Sequence, residues 1–196
     1  DRKEIRMGDT VIIKRAGDVI PKVVKVILEK RLKNSKPYKF PNKCPSCEEE
    51  VTRLDSEAAF RCRNYSCPAQ VKRRINHFVS KRCMDIDGFG KKLVDQLVNE
   101  GILSDASDIF ILEESLISNL ERQGELSAKN LITSIDESKK RRFAKFIHAL
   151  GIPHIGERAS ILLEEEFNSN IKFLIETDTV RLESIHEFGK KMAESI

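Results

Sequence analysis

Cys44, Cys47, Cys62 and Cys67 form two close pairs, Cys44-Pro-Ser-Cys47 and Cys62-Arg-Asn-Tyr-Ser-Cys67, with 14 residues between them. A loop of about two to four residues lets two thiolates reach one ion, and two such loops complete a tetrahedral, all-sulfur shell. That shell has no open position for water or substrate, so the chemistry it supports is folding rather than catalysis. One structural zinc ion is therefore expected on Cys44, Cys47, Cys62 and Cys67. Disulfides are the competing use of the same cysteines. The basic surroundings and the charged start, Asp1-Arg-Lys-Glu-Ile-Arg6, which is no signal sequence, argue instead for a reducing, cytoplasmic setting. Cys83 has no partner nearby in sequence and reads as a small buried apolar residue.

A second pattern lies in the glycines. Gly90, Gly124, Gly156 and Gly189 are 34, 32 and 33 residues apart, and each precedes a helix-like segment: Lys91–Val98, Glu125–Ile132, Glu157–Leu163 and Lys190–Ile196. The first copy reads Ile86-Asp-Gly-Phe-Gly90, and glycine there permits positive φ and close approach of backbone to a ligand. The free N–H groups and the positive dipole end of the following helix favour an oxygen anion. A phosphate seat built from backbone is the expectation, assisted by Lys91, Lys92, Lys190 and Lys191. Where the first copy has Gly88, the others have Arg122, His154 and Glu187. The first and third turns are thus the better phosphate contacts, and the fourth, with Glu187, is suited to packing. Ankyrin and tetratricopeptide arrays share the period but not the signatures.

The elements that carry these groups follow from composition. The chain has 196 residues, 40% hydrophobic and 34% charged, enough for one or two ordinary cores. Residues 1–82 hold 21 Lys and Arg against 10 Asp and Glu, and residues 83–196 hold 14 against 21, giving +11 and −7. The basic half suits a polyanion through counterion release. Thr10–Arg15 and Val19–Leu28 are rich in β-branched residues and joined at Ala16-Gly17-Asp18, so they read as strands, with Pro21 at an edge, a strand start or a bulge. Two or three strands alone are marginal, so the chain is expected to begin inside a domain. Residues 31–43 read as a linker. His77, His148, His154 and His186 sit near no second cluster in sequence, and Glu164-Glu-Glu166 reads as solvated surface because consecutive helical residues share no face. Lys139-Lys-Arg-Arg142 either tracks phosphate or complements a helix end. No apolar run is long enough to span a membrane.

These stretches, in this order, resemble the bacterial NAD-dependent DNA ligases. The matching segments are Arg15-Ala-Gly-Asp-Val-Ile-Pro21, Cys44-Pro-Ser-Cys47, Arg61–Gln70, His77–Arg82, Met84–Gly90, Leu120–Leu131 and Ala149–Glu157. The resemblance implies a mainly α chain in three parts: the C-terminal part of an OB-fold with a linker (1–43), a four-cysteine zinc finger (44–75) and a domain of four helix-hairpin-helix repeats (76–196). It implies contacts to nicked double-stranded DNA by Arg15, Gly88, Gly90, Lys91, Lys92, Gly124, Gly156, Gly189 and Lys190. It also implies NAD and magnesium in the parent enzyme, and an upstream adenylation domain whose lysine, in Lys-x-Asp-Gly, attacks the cofactor. Here the one Asp-Gly is Asp87-Gly88, preceded two residues earlier by Asp85, so no catalytic residue is expected and the segment alone should neither consume NAD nor join DNA. The alternative is a free-standing zinc and helix-hairpin-helix scaffold for repair.

Overall fold

The structure is a computed structural model that describes residues 3–16, 20–53, 59–121 and 123–196; the expected turn at Gly17-Asp18 and the Arg122 position lie outside the described residues. The chain divides into two compact units, Asp1–Cys44 with Glu48–Cys62, and Pro45–Cys47 with Arg63–Ile196.

The first unit is built around an antiparallel hairpin of β1 (Val11–Ala16) and β2 (Ile20–Val26). Pro21 is the second residue of β2, opposite Arg15, in agreement with its expected place at a strand start. The register shifts between Ile12 and Ile13, and Ile13 and Ile20 remain 59% and 69% exposed. Among the described residues no third strand pairs with this hairpin. It also has polar ties. Arg31 donates twice to Asp9, at 2.9 and 2.8 Å, and the guanidinium holds the Asp9 carboxyl below its usual range. Arg6 donates to the Ser35 carbonyl at 2.8 Å and pairs with Pro37. Residues 31–37 are therefore bonded back to the start of the unit, where composition alone suggested a linker.

The second unit is helical. Four helix pairs pack in sequence order: α1 (Pro68–Phe78) with α2 (Lys91–Asn99), α3 (Glu114–Ser118) with α4 (Glu125–Ser138), α5 (Phe143–Ala149) with α6 (Glu157–Glu166), and, after α7 (Ile171–Ile175), α8 (Thr179–Ser184) with α9 (Lys190–Ala193). Apolar side chains at helical spacing, such as Val71, Ile75 and Phe78 on α1 or Leu93, Val94 and Leu97 on α2, supply each buried stripe. Two clusters result. One gathers the first two pairs around Ile75, Leu97, Ile109 and Ile117; the other gathers the last two around Leu163, Phe167 and Leu182. Helix α5 belongs to both, with Ala149 in the first cluster and Ile147 in the second. No described helix is long and apolar enough to cross a membrane.

Candidate metal centre and nucleic-acid interface

The Sγ atoms of Cys44, Cys47, Cys62 and Cys67 lie within 4.8 Å of one another, and none of the five cysteines is in a disulfide. Local backbone explains the first pair. The Cys44 N–H donates to the Glu49 carbonyl at 2.8 Å, the Cys44 carbonyl accepts from Glu48 at 2.9 Å, and Glu48 takes a positive φ of 60° to close the turn. The ladder of β3 (Val51–Thr52) and β4 (Arg61–Cys62) sets Cys62 opposite Val51. Cys67 caps α1, with Pro68 at the first helical position, where no N–H is needed. Burial pushes the Cys67 thiol up, but hydrogen bonds from the Gln70 main chain, Ser46, Cys47 and the Ala69 main chain outweigh it and bring it down to about 6. A thiolate at a helix N-terminus is also favoured by the dipole. Four converging sulfurs, one of them readily ionised, fit a zinc ion whose bonds of about 2.3 Å place sulfurs about 3.8 Å apart.

The repeated turns are equally well defined. Gly90, Gly124, Gly156 and Gly189 are each the residue immediately before α2, α4, α6 and α9, so spacing located all four helix starts. The fourth helix stops at Ala193, short of the expected Ile196. Each glycine is exposed, none carries a side-chain cap, and intrahelical bonding begins only at Val94, Ala128, Ser160 and Met192. The N–H groups of each first turn thus face outward.

The bend itself is made elsewhere than the sequence suggested. All four cap glycines have negative φ; the positive values belong to Gly88 at 84°, His154 at 65° and Glu187 at 69°, two residues earlier. The bonds Phe89 N–H to Ile86 O, Ile155 N–H to Ile152 O and Phe188 N–H to Ile185 O close four-residue turns whose third residue is left-handed, as in type II. Phe89, Ile155 and Phe188 are buried and anchor the turn, while a Cβ added at any cap glycine would meet nothing within 4 Å. Neither backbone angle nor internal packing requires glycine at 90, 124, 156 or 189. What glycine leaves there is room on the outside.

Charge grades the four turns. Lys91 and Lys92 are exposed beside Gly90, and no ion pair engages either among the described residues. The α4 start carries Glu125, and the α6 start carries Glu157, which Lys145 neutralises at 2.8 Å. Glu187 accepts from Arg158 at 2.9 and 3.2 Å, and this guanidinium lowers its carboxyl; Lys190 faces Glu194 at 3.8 Å. Arg15 is exposed on β1. The Lys139–Arg142 run is spent on acids: Lys139 on Asp136, Lys140 on Glu137, Arg141 on Asp85 and Arg142 on Glu164.

Two readings change. Glu164, expected on solvated surface, is buried: besides Arg142 it accepts the Ala144 N–H at 3.0 Å, capping α5 from the neighbouring helix. Burial raises its carboxyl, but the Ala144 and Arg142 bonds prevail and lower it. His77 and His148, far apart in sequence, meet at Cys83, which is buried as expected but not alone.

Comparison with known proteins finds three matching domain models: the NAD-dependent DNA ligase OB-fold domain over residues 1–35, the NAD-dependent DNA ligase C4 zinc finger domain over 43–69 and the helix-hairpin-helix motif over 145–196. Proteins named DNA ligase from Syntrophus aciditrophicus, Listeria monocytogenes serotype 4b and Natranaerobius thermophilus are 47%, 44% and 45% identical, over 100%, 99% and 100% of this chain. The chain spans 29% of the length of each. A free-standing scaffold finds no support among these relatives.

Proposed function

Because the chain belongs, as a segment, to the NAD-dependent DNA ligase family, we propose that it is the part that grips nicked double-stranded DNA while an adenylation domain of the same protein, using NAD and magnesium, seals the nick in replication and repair in the cytoplasm. The proposed parts are the OB-fold end and linker over 1–43, the finger over 44–75 and the repeats over 76–196. Cys44, Cys47, Cys62 and Cys67 are the residues that would hold zinc, which supplies folding energy and no reactive position.

The observation that carries this reading is the set of four exposed cap glycines that the fold itself does not need. A bare backbone at a helix start lets a phosphate oxygen come within hydrogen-bond reach of several N–H groups, each charge-assisted bond contributing about 1.5–3 kcal/mol. The first turn is favoured, since Gly88 makes the bend without strain and Lys91 and Lys92 add positive charge. The third follows, and the fourth, with its four-residue helix and Glu187 turned to Arg158, contributes mainly to packing. In the basic first unit Arg15 supplies a side-chain contact.

Contacts of this kind position a duplex without reading bases. Affinity for nicked duplex, measured at several salt concentrations, should fall steeply as salt rises and depend little on sequence. Replacement of Gly90 by Asp should weaken binding with the helical signal unchanged. Unaltered affinity would remove the first turn from the interface.

A further inference from the structure

His77, on α1, and His148, on α5, are 71 residues apart in the chain, yet one nitrogen of each and Cys83 Sγ lie within 4.8 Å of one another. All three belong to the helical unit. Cys83 is 1% exposed, and its Sγ lies 3.9 Å from His77 Nδ1 and 3.6 Å from His77 Nε2. His77 Nε2 meets the His148 carbonyl oxygen at 2.8 Å, so Nε2 carries the proton and Nδ1 keeps a bare lone pair. His148 Nδ1 is buried without a hydrogen-bond partner. Nδ1 is thus the nitrogen that His148 has to offer. Gly151, at a positive φ of 66°, makes room: a Cβ there would stand 3.4 Å from His77 Cδ2.

Two imidazoles lie beside one buried sulfur: His77 is fixed by the main chain through Nε2, the outer support that orients a metal-ligating histidine, and His148 Nδ1 is unpartnered. We propose that His77, Cys83 and His148 form a second metal site, separate from the four-cysteine cluster, that takes a zinc-class divalent ion through two imidazole nitrogens and one thiolate. A set of two nitrogens and one sulfur suits zinc, with bonds of about 2.0–2.3 Å, and leaves a fourth position for water. Binding exchanges the Cys83 thiol proton for the ion and releases it to solvent, the imidazoles staying neutral. The half-buried histidines give the ion a way in. Glu157, whose charge acts on both His148 and Cys83, lies near enough to offset the added positive charge. A cysteine–histidine nucleophile is the rival use of these atoms, but a sulfur this enclosed offers no path to a substrate. The ion would tie the first helix pair to the third.

Zinc per chain, measured by plasma mass spectrometry on the reduced protein at a free zinc level held low by a chelator buffer, tests this directly. Wild type should hold two ions, and Cys83→Ser and His148→Gln one each, with circular dichroism reporting the fold of each variant. A wild-type value of one overturns the site whatever the variants do, as does retention of two ions in a folded Cys83→Ser. Cobalt(II) titration of wild type gives an independent reading. A second equivalent should add sulfur-to-cobalt absorbance; saturation after one equivalent rejects the proposal.

Discussion

The two units meet the same expected partner with opposite means. In the first, a two-stranded hairpin leaves Ile13 and Ile20 largely in solvent, with polar ties such as Arg31 to Asp9 beside it. In the second, two apolar clusters are well buried, and the surface offered is backbone at helix starts. A basic unit can attract phosphate through side chains, whereas the second unit, with 20 Lys and Arg against 21 Asp and Glu, has little net charge and relies more on the N–H groups it presents. There all four cations of the Lys139–Arg142 run face carboxylates, while Lys91 and Lys92 stay exposed beside Gly90.

The largest expected effect separates metal-dependent from core-dependent order. Cys62→Ser should release zinc and unfold the finger, because apparent binding energies of about 10–16 kcal/mol are folding energy in such modules. The helical circular dichroism of the second unit should survive; its loss would mean that the core does not stand apart from the metal. Next is Phe167→Ala, which empties a 1%-exposed position in the second cluster and should cost about 3–5 kcal/mol by chemical denaturation. A cost below about 1 kcal/mol would show that this cluster contributes less than its burial implies.

Gly90→Asp should lower duplex affinity by roughly tenfold or more, the equivalent of one charge-assisted bond lost. Gly189→Asp should do less, and equal losses at both positions would erase the proposed ranking of turns. The smallest effect concerns Glu164. Its folded-state carboxyl lies below the ordinary 4.5, so its stabilisation is complete above about pH 4.5 and is lost as pH falls through the lower folded value. Glu164→Gln should cost about 1 kcal/mol near neutrality, as for a weakened helix cap, and flatten that acid limb of the stability curve. An unchanged acid limb would assign the acid sensitivity to other carboxylates.

Local chemistry is legible in the sequence and distant chemistry is not. Spacing locates the four cap glycines and the four clustered thiols because each signal lies within a few residues of the feature it specifies. The left-handed residue of the third and fourth turns is hidden, since His154 and Glu187 carry no glycine signature and the strain they accept is visible only in the angles. Glu164 reads as surface because its partners, Arg142 and Ala144, lie about twenty residues away, on the neighbouring helix. The meeting of His77, Cys83 and His148 depends on how the first and third helix pairs pack, and no short window of sequence contains it.

Helix α5 has seven residues and is buried on two sides: Ile147 serves one cluster, and Ala149, two residues on and so on the opposite side, serves the other. A single short rod thus lies between the two clusters that carry the first and third turns. Such a rod acts as a ruler. If the first and third turns are the anion seats proposed above, it holds them at a fixed interval, and a duplex whose phosphate track is stretched or kinked out of that interval would occupy one seat but not both.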